Sequence, residues 1–269
     1  MGVLNVTPDS FSDGGRFVNI DNALKHCEDM INNGVDIIDI GGESTRPNAA
    51  AVSTDEELSR VVPVVRAIRK HFGDEIWLSL DTSNPAVMAD GIHAGADMIN
   101  DVRALRREQA CETVAGLGCP VVIMHSRGEP STMNDLANYQ DVLGEVIDEL
   151  ETDIVRAMAA GVRRDNIVID VGMGFAKNYS HHKVLLNNLH TIITHFNLPM
   201  LFGVSRKRFL GEILNNMNLE YLNNHTPTDR DNIGTAIHLM AIQHGASIVR
   251  VHDVKAMVQV ARMWGLLQS

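Results

Sequence analysis

Short apolar runs alternate with longer stretches of helical periodicity along most of the chain. Five of the runs closely follow a glycine that can end a preceding helix, at Gly34, Gly95, Gly118, Gly161 and Gly245. The runs are apolar on both faces, as the strands of a buried parallel sheet are. There are eight of them: GVLNV, DIIDI, IWLSL, DMIN, PVVIM, NIVID, PMLFGV and SIVRV.

Eight strands separated by helices predict an α/β fold, namely an eight-stranded parallel (β/α)8 TIM barrel. The 269 residues of the chain are close to the roughly 250 usual for that fold. A doubly wound open sheet is the alternative, because periodicity does not show whether a sheet closes. No Pro- or Ser-rich linker divides the chain, so we expect a single domain over residues 1–269, with its main excursion from Gly211 to Asn232.

Two helices can be predicted with bounds. Ser53 and Glu56 have the spacing of a capping box, and the apolar residues that follow recur at helical spacing, which predicts a helix from about residue 54 to 72. A second apolar stripe predicts the longest helix, from about residue 138 to 160, and Gly161 is a suitable stop.

A polar residue ends each apolar run. The carboxyl ends of barrel strands meet at one face, where barrel active sites lie, so we expect these side chains to converge. A single Asp, Asn or Ser at a strand end is often only a turn former or a helix cap, but eight together favour a site. The eight are Asn5, Asp39, Asp81, Asn100, His125, Asp170, Ser205 and His252.

Basic residues cluster after the last two runs. Arg206, Lys207 and Arg208 follow the seventh run, and Arg250 and His252, two apart on a strand, share one face of the eighth. The corresponding loops of barrels often bind phosphate. A structural ion pair is the alternative interpretation for Arg250.

Composition limits the other possibilities. The apolar fraction of 45% and the charged fraction of 21% are ordinary for a globular protein, and no apolar run reaches about 18 residues. A formal charge of −11 opposes attraction to nucleic acid or an anionic membrane, so an anionic substrate needs local basic residues. No secretory signal follows Met1, and we expect a cytoplasmic protein.

Neither cysteine nor histidine spacing indicates a metal site. His181 and His182 are expected in a solvated turn without ligand-like partners. The cysteines lack close spacing, which argues against a disulfide framework or zinc and favours buried thiols at Cys27, Cys111 and Cys119.

Eight motifs, taken together and in order from residue 2 to 254, closely resemble the dihydropteroate synthase family. They are NVTPDSFSDGG, IIDIGGESTRP, SLDTS, IND, MHSRG, GFAK, GVSRKRFLG and RVHDV. The resemblance implies a pterin-binding (β/α)8 barrel and a transferase of folate biosynthesis. Its reaction joins 6-hydroxymethyl-7,8-dihydropterin diphosphate to 4-aminobenzoate and releases diphosphate and 7,8-dihydropteroate.

The resemblance also implies which residues bind the pterin. Asp170 would accept two hydrogens from the ring, and Lys207 would donate to the ring carbonyl. Asp81 and Asn100 would satisfy other ring nitrogens. The apolar walls, for two of which ordinary core packing is an equal alternative, would be Phe175, Val102 and Met124.

For the diphosphate, the resemblance implies Asn5, Arg46, Arg250 and His252, with Mg²⁺ as cofactor. Mg²⁺ usually keeps water and phosphate oxygens as ligands, so Asn5 is the expected direct protein ligand. The catalytic residues implied are Lys207, Arg250, His252 and Asp81.

The aminobenzoate pocket implied by the resemblance consists of Phe11, Thr45, Pro47, Ser205 and Arg206. Residues 7–15 and 44–52 are interpreted as lids over it, and sulfonamides are expected to compete for it. A homodimer through the later helices is also implied.

The chain departs from the family pattern in two places. It reads DVGMGFAK where the family often reads DPGFGFGK, with Val171, Met173 and Ala176 as replacements, and Asn48 replaces a glycine in TRPG. These changes put the local loop geometry in doubt more than the chemistry. Two alternatives are a methyltransferase that passes a methyl group from methyltetrahydrofolate to a corrinoid, and a pterin-binding or structural subunit without activity. The SRKR and STRP motifs argue against the first, and the undamaged site argues against the second.

Overall fold

The computed structural model describes residues 1–7, 16–44, 52–129, 131–217 and 225–268. Strands and helices alternate along it, as the sequence predicts. The strands are β1 (Gly2–Asn5), β2 (Ile37–Gly41), β3 (Trp77–Asp81), β4 (Met98–Asp101), β5 (Val121–Met124), β6 (Ile167–Asp170), β7 (Leu201–Phe202) and β8 (Ile248–Val249).

The helices of the described residues lie between the strands and after the last of them. None is long and apolar enough to cross a membrane. They are α1 (Arg16–Asn32), α2 (Thr54–Phe72), α3 (Pro85–His93), α4 (Ala110–Leu117), α5 (Val142–Ala159), α6 (Tyr179–Asn187), α7 (Leu189–Phe196), α8 (Arg208–Asn216), α9 (Asp231–Gln243) and α10 (Val254–Gln268).

The strands are parallel and follow sequence order. β1 to β6 form one sheet, and β7 pairs with β8. Isolated bridges make the two remaining contacts, from Ile169 in β6 to Met200 before β7, and from Gly2 in β1 to Val251 after β8. This is the strand order of a (β/α)8 barrel, and the expected fold class is confirmed.

Side chains alternate between two apolar clusters across the strands. Val121 and Ile123 belong to the larger cluster, which packs the strands against the helices. Val122 belongs to a small cluster with Met98 and Val168, on the face that turns inward in a barrel. Because side chains two residues apart share a face, this apolar layer lies below the strand-end residues two positions further along.

Several expectations about single elements are confirmed. Helix α2 spans Thr54–Phe72, and the Ser53 hydroxyl accepts a hydrogen bond from the Glu56 N–H at 3.3 Å. The five stop glycines all have positive φ, between +66° at Gly118 and +116° at Gly95, a conformation that costs glycine little. The three cysteines are buried thiols.

Other details differ from the predictions. Helix α5 begins at Val142, after an Asp141 cap, and not near residue 138, and with 18 residues it is not the longest helix as predicted, since α2 has 19. The connection after β6 contains two helices, α6 and α7, for which no bounds were predicted. Within the expected excursion, α8 continues to Asn216 and a short 3-10 turn (Thr228–Arg230) precedes α9, while residues 218–224 lie outside the described residues.

The solvated turn predicted for His181 and His182 is wrong. Both lie in the first turn of α6, and His182 is buried. Its Nε2 accepts a hydrogen bond from the Gly174 N–H at 2.8 Å, and its ring stacks on Phe209 at 4.3 Å between centroids. Burial lowers the pKa of His182 to about 3, so the ring is neutral and serves as an acceptor.

Candidate functional site

A cavity opens at the carboxyl ends of the strands. Nearly every strand contributes a side chain to it, from within the strand or from the loop that follows. The residues that line it are Val3, Asp81, Asn100, Val102, Met124, Asp170, Phe175, Gly203, Ser205, Lys207, Arg250 and His252.

Arg250 joins two carboxylates in this cavity. Its Nε donates to Asp39 Oδ2 at 2.5 Å, and its Nη2 donates to Asp81 Oδ2 at 2.8 Å. Asn100 Nδ2 donates to the same Asp39 oxygen at 3.1 Å. Asp39 is completely buried below the cavity, so it fixes the guanidinium of Arg250 and the amide of Asn100 together.

Asp81 carries a perturbed carboxyl. Burial raises its pKa to about 7, and the nearby Asp39 carboxylate adds to that effect while Arg250 opposes it. Two carboxylates share one guanidinium here, so ionising both leaves an excess negative charge. A group that develops positive charge in the cavity would be stabilised by it.

Asp170 and Lys207 lie on the other side of the cavity. Asp170 ends β6, and its Oδ1 accepts a hydrogen bond from the Gly172 N–H at 2.8 Å. Burial raises the pKa of Asp170, and Lys207 opposes this. Lys207 donates to the Met173 carbonyl, and its Nζ lies 4.8 Å from the centroid of the Phe175 ring. Burial lowers the pKa of Lys207 to about 8.

Ser205 and His252 connect the loops after β7 and β8. The His252 N–H donates to Ser205 Oγ at 3.1 Å, and His252 Nδ1 lies 2.9 Å from the same oxygen. Arg206, at φ +60°, forms a two-pronged ion pair with Asp231 at the start of α9. Arg206 and His252 also line a second, more open cavity between α1 and the start of α10.

The sequence is similar to known pterin-binding enzymes over most of its length. A model of the family described as pterin binding enzyme matches residues 1–252. The dihydropteroate synthase of Escherichia coli (strain K12) is 46% identical over 263 residues, covering 98% of this chain and 89% of that protein. The chain belongs to the dihydropteroate synthase family.

Solved dihydropteroate synthases have the same fold. The Yersinia pestis enzyme, described as a sulfonamide drug complex, has a TM-score of 0.90 and 44% identity, covering 100% of this chain and 93% of its own. The Xanthomonas albilineans enzyme in complex with 7,8-dihydropteroate has a TM-score of 0.87 and 39% identity, with coverage of 100% and 93%.

Most of the residues assigned from the dihydropteroate synthase resemblance line one cavity. The pterin set of Asp81, Asn100, Asp170, Lys207, Phe175, Val102 and Met124 does so, as do Arg250, His252 and Ser205. Asn5 ends β1 at the same edge but is not among the lining residues, and Arg206 reaches Asp231 instead. Phe11, Thr45, Arg46, Pro47 and both predicted lids, apart from Thr7, Ser44 and Val52, lie outside the described residues. The roles of all these residues stay predictions.

The departures from the dihydropteroate synthase pattern in the loop after β6 are accommodated by burial and by one residue with positive φ. Val171 and Met173 are buried, and Ala176 has φ +47° where the family often has glycine. Asn48 lies outside the described residues.

Sequence reasoning assigned no role to three buried polar residues behind the cavity lining. Asp39 and His125 were noted only as strand-end polar groups, and Lys177 only as part of the GFAK motif. For Asp39 and His125 the available signal was a polar residue inside or directly after a run that is otherwise fully buried, since such a group needs a partner. Lys177 lies beyond the end of the sixth run and carried no such signal.

Proposed function

We propose that the protein is a transferase of folate biosynthesis that condenses 6-hydroxymethyl-7,8-dihydropterin diphosphate with 4-aminobenzoate. The observation that carries the proposal is the convergence of Asp81, Asn100, Asp170, Lys207 and Arg250 on one cavity, in a chain of the dihydropteroate synthase family. The products are 7,8-dihydropteroate and diphosphate.

The pterin is proposed to bind at the floor of the cavity. Asp170 offers two acceptor oxygens to the adjacent N–H groups of the ring, Asn100 offers both a donor and an acceptor, and the ammonium of Lys207 suits a ring carbonyl. Val102 and Met124, both buried, provide apolar contacts for the ring faces. The proposed pterin position is supported by the burial of Asp170 and Asn100 and by the opposite charges of Asp170 and Lys207.

The diphosphate is proposed to face Arg250 and His252. The contacts described for Arg250 use Nε and Nη2, and the two N–H groups of Nη1 are suited to phosphate oxygens. The carboxylates of Asp39 and Asp81 hold the guanidinium in place before substrate arrives, which reduces the reorganisation needed on binding.

Mg²⁺ is proposed as the cofactor, with Asn5 as its protein ligand. Among the described residues, no group of three or more His, Cys, Asp or Glu side chains is placed to hold a metal. The half-buried Asn5 side chain, at the same edge, supplies an amide oxygen of the kind that Mg²⁺ accepts beside water and phosphate. The ion would neutralise charge on the leaving diphosphate.

The reaction is proposed to be a dissociative substitution. The bond from the pterin methylene to the diphosphate oxygen breaks, and its electron pair leaves with the diphosphate beside Arg250. The cation left on the methylene is delocalised into the ring near the carboxylates of Asp81 and Asp170. The amine of aminobenzoate then forms the new C–N bond and loses one proton to solvent or to the departing diphosphate. An aromatic amine is nucleophilic enough that no strong base is required.

The aminobenzoate is proposed to bind above the pterin, beside Ser205, with Arg206, Phe11, Thr45 and Pro47 as its other contacts. Sulfonamides are expected to compete there. Changing Phe11 or Pro47 to Ala should weaken aminobenzoate binding, measured with Mg²⁺ and diphosphate, more than it weakens binding of the pterin alone. Equal losses for both ligands would contradict this arrangement.

The test of the function is direct condensation. Purified protein, Mg²⁺ and both substrates should give 7,8-dihydropteroate by chromatography, and omission of either substrate or addition of EDTA should stop it. Asp170→Asn should lose most of the activity, while the exposed Asp165→Asn, the matched control, should keep it. Absence of product from folded protein would overturn the proposal, and methyl transfer to a corrinoid would favour the alternative.

A homodimer is proposed on the surface formed by α9 and α10. Met263, Leu266 and Leu267 on α10 are exposed, the last two by 78% and 70%, and Met240 on α9 is also exposed. Such a patch is typical of an interface. Leu267→Glu should convert a dimer to a monomer in sedimentation, and a wild-type monomer would contradict the proposal.

A cytoplasmic location is proposed because the three cysteines are separate thiols, as is usual in a reducing compartment.

A further inference from the structure

A row of four polar side chains, two of them buried and two partly exposed, lies behind the pterin side of the cavity. Lys177 and His125 are both buried, and Lys177 Nζ lies 2.8 Å from His125 Nδ1. The same Nζ donates to the Phe175 carbonyl at 3.1 Å. His125 Nε2 lies 3.0 Å from Glu149 Oε2, and Arg127 Nε donates to Glu149 at 3.0 Å. None of these four side chains lines the cavity.

The hydrogen bonds in this row have one consistent direction. An ammonium group can only donate, so His125 Nδ1 accepts from Lys177 and the ring carries its proton on Nε2, which donates to Glu149. Burial, with Lys177 as the next cause, lowers the pKa of His125 to about 4, so the ring is neutral. Burial raises the pKa of Glu149, but its bonds with His125 and Arg127 outweigh this and lower it to about 2.

The row is attached to the loop that follows β6. The backbone N–H of His125 donates to the backbone carbonyl of Asp170 at 2.8 Å. Gly172, at φ +66°, lies so close that a Cβ there would be 1.9 Å from the His125 carbonyl oxygen. Lys177 closes the loop at its other end, through His125 and the Phe175 carbonyl. The segment from Asp170 to Lys177 is therefore fastened to the end of β5 at both of its ends.

The middle of this loop contacts Lys207. Lys207 donates to the Met173 carbonyl and lies over the Phe175 ring, and a Cβ on Gly174 would be 2.9 Å from Lys207 Cδ. A change in the path of the loop would move the ring of Phe175 and the ammonium of Lys207 together. Both line the cavity.

We propose that Lys177, held by His125, is a positioning residue for pterin binding. Its bonds to His125 Nδ1 and to the Phe175 carbonyl hold the loop after β6 in the path that places Phe175 and Lys207 beside Asp170. The proposal rests on the proposed function, since it concerns the same pterin site. Burial lowers the pKa of Lys177 to about 7, but a neutral amine still has two N–H groups, so both bonds persist in either protonation state.

The first test is Lys177→Met, which keeps the length of the side chain and removes its donors. We expect the KM for the pterin diphosphate, and its Kd by calorimetry, to rise about 5- to 100-fold, the range for leaving buried acceptors unpaired. The KM for aminobenzoate should change by less than about threefold, because none of the contacts proposed for it belongs to the loop after β6. Lys183→Met, on the exposed face of α6, is the control and should leave both constants unchanged.

His125 provides the second test. His125→Asn keeps an acceptor near the position of Nδ1, whereas His125→Leu removes it. We expect the asparagine variant to bind pterin within about threefold of wild type and the leucine variant to match Lys177→Met. The double variant Lys177→Met with His125→Leu should lose no more pterin affinity than the weaker-binding single variant, because the bond between Lys177 and His125 is already lost in each single variant and the double variant leaves neither of its two partners unpaired.

Several outcomes would overturn the proposal. One is equal loss of affinity for pterin and aminobenzoate in Lys177→Met, and another is strictly additive losses in the double variant. If Lys177→Met fails to fold, the comparison of the two His125 variants decides, and equal pterin affinity for them refutes the proposal. Calorimetry separates it from the proposed function: wild type that binds pterin but makes no product refutes the function alone, while wild type that binds no pterin refutes both.

Discussion

Replacing Arg250 by methionine should lower the free energy of unfolding, because the two buried carboxylates that it joins lose their cation. Asp39 is fully buried and the Asp81 side chain is 10% exposed, and their contacts with the guanidinium are 2.5 Å and 2.8 Å. Methionine fills part of the volume but leaves both carboxylates without a cation. Breaking a buried pair in this way costs about 3 to 5 kcal/mol, so we expect a loss of that size in the free energy of unfolding at pH 8.

The loss should depend on pH, and its sign follows from Asp81. Because burial raises the pKa of Asp81 to about 7, wild type already binds a proton there below pH 7, and the stability that this contributes is lost as pH rises through 7. Without Arg250, we expect Asp81 to keep its proton up to pH 8. Between pH 7 and pH 8 the variant then keeps a proton that wild type has lost, which lowers its relative stability by about 1.4 kcal/mol, so the deficit should be smaller at pH 5 than at pH 8 by about that amount.

Urea unfolding of both proteins at pH 5 and pH 8, followed by circular dichroism, measures this difference. Arg208→Met is the matched control: Arg208 is 88% exposed and lies 4.0 Å from Glu212, so its loss should change stability by less than about 0.5 kcal/mol. A deficit for Arg250→Met below about 1 kcal/mol at pH 8 would refute the reasoning. An equal deficit at both pH values would show that Asp81 does not titrate as argued.

Three further predictions concern single residues. Asp170→Asn should weaken pterin binding by about 2 to 4 kcal/mol in calorimetry, whereas unchanged affinity would exclude Asp170 from the site. Burial lowers the pKa of Lys207 to about 8, so its ammonium is lost as pH rises through 8; pterin affinity should fall above that pH, and Lys207→Arg, which stays charged, should flatten the profile. An identical profile in both proteins would contradict this role. Ala176→Gly should stabilise the fold by about 0.5 to 1 kcal/mol because Ala176 has φ +47°, while Ala67→Gly within α2 should cost about 1 kcal/mol. Destabilisation by Ala176→Gly would show that its methyl group contributes more through packing than the backbone loses through strain.

The repeating part of the fold could be predicted from the sequence because each strand is buried on both faces. A run such as VVIM therefore has no polar side to confuse its assignment. The helix pair α6 and α7 was missed for a local reason. Asn188 ends α6 and also precedes α7, so one helical periodicity continues across a break that the apolar pattern does not mark.

The cavity residues could be predicted because parallel strands end at one edge, so Asp81, Asn100 and Asp170 had to meet. The hydrogen-bond partners in and behind the cavity could not be predicted from the sequence. Arg250 and Asp39 are separated by 211 positions in sequence, and Lys177 and His125 by 52. Spacing along the chain does not reveal such pairs, since they depend on the order in which the strands close. The burial of His182 was hidden for a similar reason, because Phe209, on which its ring stacks, comes from α8 after the next strand.

The uneven pairing of the strands has a consequence for local opening. Ladders join β1 to β6 continuously, whereas β7 and β8 are attached on either side through isolated bridges at Met200 and Val251. Amide hydrogen exchange reports the free energy of such openings, and we expect the amides of β7 and β8 to exchange faster than those of β2 to β5. A ligand that contacts Asp170, at the end of β6, and Lys207, after β7, would link the two strands that this isolated bridge joins. Its binding should slow exchange in β7 and β8 most, so part of its binding free energy would appear as increased rigidity of that quarter of the barrel.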